Sequence, residues 1–521
     1  MNSRRQFIRQ IGLAAVGLTL TPKWTNNVQD KTSKLPRSTP EAQGVSTEAI
    51  NKYFDAIEAS GQEFHATMIL KNGFVIAEAW WEPYGPDHKM QLYSMSKSFT
   101  STAIGFAQQE GLLNVEDPVI KYFPKDLPDE ISPNLKALKI KHLLMMSVGH
   151  AKDSILTIEH SPAGVAWAKT FLAIPIEFEP GTKFSYNSGA SFMLANIVQK
   201  VSGKTAFDFL KPRLFEPLGI TNTSWSTTPE GYNFGASHLR MTTEDMAKFG
   251  QFYLQKGKWK GKQLLNTPYI AAATSKQISN GKNDSSWAYG YGYQFWLNPP
   301  GGFRADGAFG QYSMVFPDQN AVVAINSESL GKGNTMNLVW DILYPALGKK
   351  EPLKNNPTAG ASLKTKLKGL HYTPEKFEAK SAFESNINRK KFQFEPNDLG
   401  IQNLTFRFNN DTISFDIKEE GFDTYTITSG RNKWYKKGNH KPAPHALFSR
   451  RRIDFESLVA AAAGWENEHT LKICLRLIET CHSDYLTCVF NDNKLTINTL
   501  FSVQKAEKKS DDRKSLMATT V

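Results

Sequence analysis

Two β-hairpin patterns constrain the fold of the first two thirds of the chain more strongly than any other feature. Two apolar runs at 65–81 are joined by Asn72-Gly73, a dipeptide typical of tight hairpin turns. A second pair of strand-like runs at 310–328 turns at Pro317–Asn320. Apolar residues at helical spacing fill the sequence between the hairpins. Hairpin, helices and hairpin in this order predict an α+β domain with a segregated antiparallel sheet. The alternation of aromatic residues with glycine at 287–297 predicts a further strand.

The character of the sequence changes after residue 346. Residues 347–368 lose their periodicity, which predicts a linker. Residues 369–504 contain short alternating runs separated by Asn and Asp turns, and these predict an all-β domain, a small barrel or sandwich. The charged residues 505–521 predict a disordered tail. With 521 residues the chain is long enough for two domains, and the first is expected over 38–346.

The N-terminal sequence is typical of an export signal. Basic residues that include the pair Arg4-Arg5 precede ten weakly apolar residues at 11–20, a run too short to span a bilayer. The paired arginines resemble the twin-arginine signal. We therefore expect residues 1–25 to direct export to a periplasmic or extracellular location. A basic helix with a fraying end is the alternative interpretation.

Composition narrows the class of partner. The formal net charge is +12, but the lysines are scattered, so a solvated surface is favoured over a nucleic-acid site. Hydrophobic residues make up 40% of the chain without any run of eighteen apolar residues, so no membrane-spanning helix is predicted. The expected partner is a small-molecule substrate.

The chain has three cysteines, Cys474, Cys481 and Cys488. An odd number argues against a disulfide framework. If 470–490 form a hairpin centred near Cys481, the other two cysteines lie opposite each other. Buried, inert thiols are the favoured interpretation.

The segment YSMSKSFTS at 93–101 contains Ser94 and Lys97 where a strand-like run changes to a helical one. The same Ser-x-x-Lys spacing also starts at Ser279, Ser329 and Ser502, but only Ser94 follows a predicted hairpin and precedes a long apolar helix. A serine at a helix N-terminus lies beside free N–H groups that can stabilise an oxyanion. A desolvated lysine on the same face can take the hydroxyl proton. A helix-capping serine beside a solvated lysine is the alternative.

A second motif, Tyr186-Asn187-Ser188, follows a Pro-Gly turn and precedes another apolar helix. Together with Ser94-Met95-Ser96-Lys97 it resembles the Ser-x-x-Lys and Tyr-x-Asn motifs of the serine β-lactamase and penicillin-binding-protein superfamily, in its class C and esterase-like branch. Flanking segments such as GLLNVEDPVIKYFP and LFEPLGITNTSW are similar too. The resemblance covers roughly 38–346 and implies a β-lactamase/transpeptidase-like fold, with a helical subdomain beside the sheet and the active site between them.

The resemblance also implies roles for individual residues. Ser94 is the expected nucleophile, Lys97 its activator, and Tyr186 the general base that later activates water. Because a phenol titrates near ~10, Lys97 is expected to favour the phenolate form of Tyr186. The second motif departs from the family where Ser188 replaces asparagine, so either Asn187 or Ser188 is the substrate-binding equivalent.

The third motif of the family, Lys-Thr-Gly or a variant with histidine on a strand, aligns best with Ala308-Phe309-Gly310. Gly310 permits close backbone approach, and the Gln311 N–H is expected to complete an oxyanion hole with that of Ser94. A cation is missing at 308, and Arg304 on the same predicted strand is a candidate replacement.

These residues predict an exported serine hydrolase that cleaves a small ester or amide through an acyl-enzyme on Ser94. A binding or sensing protein that has lost turnover is one alternative, and a β-lactamase or D,D-peptidase is another. No histidine lies in a His-Glu-x-x-His or similar spacing and no phosphate-binding glycine loop is present, so neither a metal nor a cofactor is predicted.

Overall fold

The computed structural model describes residues 34–281, 285–330, 334–348, 351–441 and 456–521. The predicted export signal at 1–25 lies outside these residues. Within the described ranges, no helix has the length and apolar content required to cross a membrane.

A six-stranded antiparallel sheet forms the centre of the first domain. Its strand order is β2-β1-β11-β10-β9-β8. The hairpin between β1 and β2 turns at Asn72 and Gly73, which have φ values of 54° and 82°, as their sequence predicts. The strands of this part of the chain are β1 (Glu63–Lys71), β2 (Phe74–Trp80), β3 (Met90–Gln91), β4 (Ser224–Trp225), β5 (Leu239–Met241), β6 (Lys258–Trp259), β7 (Lys262–Gln263), β8 (Trp296–Leu297), β9 (Phe303–Gly307), β10 (Gln311–Phe316) and β11 (Ala321–Glu328).

Helices cover both faces of this sheet. Alternate residues of β11 point to opposite cores: Val322 and Ala324 to one, Val323 and Ile325 to the other. π-helical turns connect α8 to α9 and α12 to α13. The helices are α1 (Thr47–Ser60), α2 (Ser96–Gln109), α3 (Pro133–Ala137), α4 (Ile140–Leu144), α5 (Ile155–Glu159), α6 (Trp167–Ala173), α7 (Ser188–Ser202), α8 (Ala206–Leu210), α9 (Glu216–Leu218), α10 (Thr243–Leu254), α11 (Thr267–Thr274), α12 (Asn334–Leu338) and α13 (Tyr344–Ala346).

The predicted strand at 287–297 is wrong except at its end, where Trp296–Leu297 form β8. Gly290 has a φ of 119° and Gln294 a φ of 63°, values that interrupt an extended chain. Tyr291 and Phe295 are buried, so these aromatic residues pack in the core although they do not belong to a strand.

The second domain is a closed barrel of nine strands, which confirms the predicted all-β domain. Strands follow the order β15-β14-β13-β12-β21-β20-β19-β18-β17, and parallel pairing of β15 with β17 closes the barrel. The short β16 pairs with the edge of β17. These strands are β12 (Lys391–Phe394), β13 (Ile401–Phe408), β14 (Thr412–Glu419), β15 (Tyr425–Arg431), β16 (His440–Lys441), β17 (Ser457–Asn467), β18 (Thr470–Leu477), β19 (Ser483–Asn491), β20 (Lys494–Phe501) and β21 (Leu516–Thr520).

The structure corrects two predictions, the linker at 347–368 and the disordered tail at 505–521. Within the predicted linker at 347–368, Pro357–Gly369 form helix α14, where Leu363 is buried against the first domain. The predicted disordered tail at 505–521 instead supplies the end of helix α16 (Ser502–Glu507) and strand β21. One remaining short helix is α15 (Glu384–Ile387).

The cysteines of the barrel lie on the predicted hairpin, but in a different register. β18 and β19 pair so that Cys474 faces Tyr485 and Cys488 faces Leu471. The two thiols are therefore not opposite each other, and all three cysteines are free.

Candidate active site

Ser94 lies in a short 3-10 turn, Tyr93–Met95, that continues directly into α2. Tyr93 has a φ of 48°, an unusual conformation for a residue with a side chain. The neighbouring Ser96 holds this turn, because its Oγ donates to the Tyr93 carbonyl (2.7 Å) and accepts from Leu239 N (3.2 Å). Ser94 itself stays half-buried at the start of the helix.

Lys97 lies one helical turn beyond Ser94 and is 2% exposed. Its Nζ is 3.0 Å from Ser94 Oγ and 3.0 Å from the carbonyl oxygen of Ala236. Burial lowers the pKa of the Lys97 ammonium to about 7, although the charges of Asp153 and Asp306 act in the opposite direction. A substantial fraction of Lys97 is therefore neutral near neutral pH and able to accept a proton.

Tyr186 reaches the same point from the segment that precedes α7. Its hydroxyl is hydrogen-bonded to Ser94. Its ring lies with the centroid 4.9 Å from Lys97 Nζ and stacks on Trp296 at 5.7 Å. The structure thus brings together three side chains that are up to 92 positions apart.

The pKa of Tyr186 corrects one expectation. Burial raises this pKa above its ordinary value, and only the hydrogen bond with Ser94 acts to lower it. The expectation that Lys97 would favour the phenolate is therefore wrong. Burial thus favours the neutral phenol of Tyr186 and the neutral amine of Lys97.

Asn187 serves α7 as its N-cap. Its Oδ1 accepts from Ala190 N (3.3 Å) and from Ser154 Oγ (2.7 Å), and its Nδ2 lies 3.0 Å from His150 Nδ1. Because the side chain is buried among these partners, it stabilises the start of the helix and does not face a substrate. The Ser188 N–H donates to Asp153 Oδ1 (2.7 Å), which fixes the same turn.

The expected third motif, Ala308-Phe309-Gly310, forms the turn between β9 and β10 and is not part of a strand. Phe309 and Gly310 have φ values of 63° and 89°. A Cβ on Gly310 would lie 2.1 Å from Ser327 Oγ, so this position accepts only glycine without a shift. The Phe309 ring packs at 5.3 Å from the Tyr93 ring, which places the turn beside the Ser94 segment.

Gly307, the last residue of β9, also touches the nucleophile segment. A Cβ there would lie 2.1 Å from the Leu92 carbonyl oxygen. Gln311 pairs with Gly307 across the hairpin. Its side chain is used inside the protein, because Nε2 donates to Ser327 O (2.7 Å) and Oε1 accepts from Asn326 Nδ2 (2.9 Å). Only the main chain of Gln311 remains a candidate for oxyanion binding.

Arg304 does not replace the missing cation of the third motif. The residue is fully buried, its Nε donates to Asp306 Oδ2 (2.8 Å), and its two terminal nitrogens donate to the carbonyls of Leu297 (3.1 Å) and Ser286 (2.9 Å). Its guanidinium therefore supports the sheet and holds the partly buried Asp306.

The sequence analysis missed a contribution from the barrel. The turn between β18 and β19 brings Cys481 Sγ to 3.3 Å from the Tyr93 hydroxyl, and the His482 ring to 4.6 Å from the Phe309 ring. Cys481 and Tyr93 are 388 positions apart, and no local pattern connects them. A second missed residue is Trp296, which lies between Tyr186 and Tyr291.

Comparisons with known proteins agree with the geometry. The family described as Beta-lactamase matches residues 54–341, which is more than half of the chain. The 6-aminohexanoate-dimer hydrolase of Paenarthrobacter ureafaciens is 23% identical over 279 residues, which cover 50% of this chain and 71% of that protein. An uncharacterized protein of Alkalihalophilus pseudofirmus is 22% identical over 335 residues, which cover 56% of this chain and 91% of that protein.

Among solved structures, the octameric penicillin-binding protein homologue from Pyrococcus abyssi has 17% sequence identity and a TM-score of 0.46, with 90% of this chain and 99% of that chain covered. The family match confirms the predicted β-lactamase/transpeptidase-like fold and the predicted hydrolase class. The chain belongs to the beta-lactamase family and is a serine hydrolase of that family.

Proposed function

We propose that the protein hydrolyses a small ester or amide through an acyl-enzyme on Ser94. The observation that carries this proposal is the buried amine of Lys97, which has a pKa lowered to about 7 and lies 3.0 Å from Ser94 Oγ. A capping serine beside a solvated lysine would have neither the burial nor the lowered pKa.

In acylation, the neutral amine of Lys97 takes the Ser94 hydroxyl proton while Oγ forms a bond to the substrate carbonyl carbon. The tetrahedral intermediate then expels the leaving group, which receives a proton from the Lys97 ammonium or through the Tyr186 hydroxyl. Tyr186 acts as a neutral hydrogen-bonding group that orients Ser94 and passes the proton.

In deacylation, water attacks the acyl carbonyl and gives its proton to Lys97, which is neutral again after the first step. The ester bond to Ser94 breaks, Oγ recovers a proton, and the carboxylic acid product leaves. The negative oxygen of both tetrahedral intermediates is assigned to the backbone N–H groups of Ser94 and Gln311. The tight packing of Gly307 on Leu92 supports this assignment, because it brings the edge of the sheet against the nucleophile segment.

The side chains around Ser94 favour esters and simple amides over β-lactams and D-Ala peptides. Recognition of a substrate carboxylate needs a cation, and the guanidinium of Arg304 is engaged by Asp306 and main-chain carbonyls. The second motif offers no free amide side chain for a peptide substrate, because Ser188 replaces asparagine and Asn187 is buried among Ser154, Ala190 and His150. The name of the relative 6-aminohexanoate-dimer hydrolase is consistent with amide cleavage.

The decisive experiment compares the protein with Ser94→Ala on nitrophenyl acyl esters and on a fluorophosphonate probe. We expect turnover and covalent labelling in the wild type and neither in Ser94→Ala. Ser279→Ala is the matched control, because Ser279 starts another Ser-x-x-Lys match but is exposed. If the wild type neither turns over esters nor takes the probe, the proposal of an acyl-enzyme on Ser94 is wrong.

We also propose that the chain is exported by the twin-arginine route, on the basis of the basic pair Arg4-Arg5 and the apolar residues that follow it. Replacing both arginines by lysine keeps the charge and removes the feature that the receptor reads. We expect the double variant to accumulate in the cytoplasm. Equal export of the variant and the wild type, measured by fractionation, would contradict this route.

A further inference from the structure

We propose that Glu328, Cys481 and His482 form a zinc site that joins the sheet of the hydrolase domain to the barrel beside the Ser94 segment. Glu328 is the last residue of β11, and the other two belong to the turn between β18 and β19. One ligand atom from each of the three residues lies within 4.8 Å of the others. Carboxylate, thiolate and imidazole are all ligands that zinc prefers.

All three donor atoms lie within 4.8 Å of one another, a separation that a small rearrangement can bring to a tetrahedral site. Zinc–ligand bonds of ~2.0–2.3 Å at tetrahedral angles place the ligand atoms ~3.3–3.7 Å apart. Cys481 Sγ lies 3.6 Å from both ring nitrogens of His482, so the imidazole must turn for Nδ1 to share a metal ion with the sulfur. Glu328 Oε1 lies 2.6 Å from the same Nδ1, so the carboxylate must move by only ~0.7 Å to reach that spacing.

The surroundings supply the groups that a zinc site needs beyond its ligands. Ser502 Oγ donates to Glu328 Oε1 at 2.5 Å and would orient the carboxylate as an outer partner. The Tyr93 hydroxyl lies 3.3 Å from Cys481 Sγ and donates or accepts a hydrogen bond there, which makes it a candidate outer partner of the thiolate.

The charges also balance. A carboxylate, a thiolate and a neutral imidazole together carry two negative charges, which one Zn²⁺ neutralises. Glu328 is 7% exposed and Cys481 is 1% exposed, so a thiolate and a carboxylate side by side here would be costly without a cation. Binding forms a Zn–S bond and releases the thiol proton to solvent.

The three proposed ligands lie on hydrogen-bonded elements of the fold. Strand β11 lies inside the sheet between β1 and β10. The barrel turn is fixed by its own hydrogen bonds, from Thr480 N to Leu477 O (2.9 Å) and from His482 N to Thr480 Oγ1 (3.0 Å). Sequence spacing did not reveal this cluster because Glu328 and His482 are 154 positions apart.

Zinc at this position would act as a structural clamp. Through Cys481 and the neighbouring Tyr93, it would hold the residue before the nucleophile in its left-handed conformation. The proposal does not depend on the hydrolase activity, and its test uses spectroscopy and binding.

The test strips the purified full-length protein of metal under reducing conditions and titrates it with Co²⁺, a coloured substitute for zinc. We expect one equivalent to bind with a thiolate-to-cobalt charge-transfer band and the strong visible bands of tetrahedral Co²⁺, and Zn²⁺ to displace it. Cys481→Ser should lose the charge-transfer band. The control Cys488→Ser removes a buried barrel thiol outside the cluster and should keep it.

Zinc affinity measured by dye competition gives a second readout. Loss of an outer partner typically lowers metal affinity ~10–100-fold, so we expect Glu328→Gln and His482→Asn to lower it by at least ~100-fold. Zinc should raise the Tm of the wild type and of Cys488→Ser but not that of Glu328→Gln, which keeps the size of the side chain. A wild type without a charge-transfer band, or a Cys481→Ser variant that retains it, would overturn the proposal and leave a hydrogen-bonded domain contact.

Discussion

At the scale of single residues, burial decides the chemistry of the site. Lys97 and Tyr186 share one desolvated pocket, and the same cause moves their pKa values in directions that favour the neutral form of each. A neutral amine accepts a proton and a neutral phenol donates one. In the proposed mechanism, Lys97 is therefore the base and Tyr186 the donor around the Ser94 hydroxyl.

The first prediction concerns the pH dependence of kcat/KM on a nitrophenyl ester. Activity requires neutral Lys97, so kcat/KM should rise with pH and reach half its maximum at about 7. Lys97→Arg should be inactive at every pH because a guanidinium stays protonated. A profile that is flat through neutrality would exclude Lys97 as the base.

The second prediction concerns the phenol. Tyr186→Phe should lower kcat/KM by ~100-fold or more, because the hydroxyl that orients Ser94 and relays the proton is lost. Tyr291→Phe is the control, since Tyr291 is a second buried phenol, whose ring centroid lies 4.9 Å from that of Trp296. Near-normal rates for Tyr186→Phe would contradict its role.

At the scale of elements, the strength of the local pattern decided which predictions were right. Hairpin β1–β2 and helices α1 and α2 follow their turn residues and apolar spacing. Helix α14 escaped detection because Leu363 is its only buried residue and Leu367 packs only partly. β21 was missed because its buried residues, Leu516 and Ala518, follow a charged run. Both elements are stabilised by packing against the rest of the protein, and the local sequence pattern does not show that packing.

The turn between β9 and β10 yields the third prediction. Gly310→Ala should destabilise the protein and lower its activity, because the new Cβ meets Ser327 Oγ at 2.1 Å and φ is 89°. Gly301→Ala is the control, because that φ is 108° but a Cβ meets nothing within 4 Å. Backbone strain of ~1–3 kcal/mol is common to both variants. Equal losses of unfolding free energy would show that the contact with Ser327 is unimportant.

The start of helix α7 yields the fourth prediction. Asn187→Ala removes an N-cap and leaves buried partners unsatisfied, so we expect a loss of ~1–3 kcal/mol in unfolding free energy. We also expect a reduced kcat, because Tyr186 is the adjacent residue. Asn266→Ala removes the N-cap of α11 and should lower stability without changing kcat. Unchanged kcat for Asn187→Ala would mean that the cap does not position Tyr186.

At the scale of the whole molecule, the barrel is packed against the hydrolase domain through a polar contact. Arg476 on β18 pairs with Glu63 on β1, lies 3.3 Å from the Tyr84 hydroxyl, and has its guanidinium 4.8 Å from the Tyr372 ring centroid. Its neighbours in the adjoining turn, Cys481 and His482, contact the Ser94 segment and the β9–β10 turn. The barrel therefore contacts the site directly, although its residues are several hundred positions away in the sequence.

The fifth prediction tests this support. Arg476→Ala leaves Glu63 without its cation, and breaking a buried pair costs ~3–5 kcal/mol. Because the Glu63 side chain remains 28% exposed, we expect about 2–3 kcal/mol here, measured by denaturant unfolding. Lys433→Ala breaks the exposed pair with Asp411 and should cost less than ~1 kcal/mol. Equal effects of the two variants would show that the contact is not stabilising.

The sequence by itself determined the α+β class and the β-hairpin and the helix that flank Ser94, because turn residues and apolar periodicity act over a few positions. The resemblance of its motifs to a known family predicted the roles of Ser94, Lys97 and Tyr186. Only the tertiary structure decided the side-chain environments. It buried Lys97, occupied Arg304 and Asn187 with internal partners, and brought Cys481 and His482 to Tyr93. These outcomes depend on desolvation and on contacts between residues far apart in the chain, and neither leaves a local pattern.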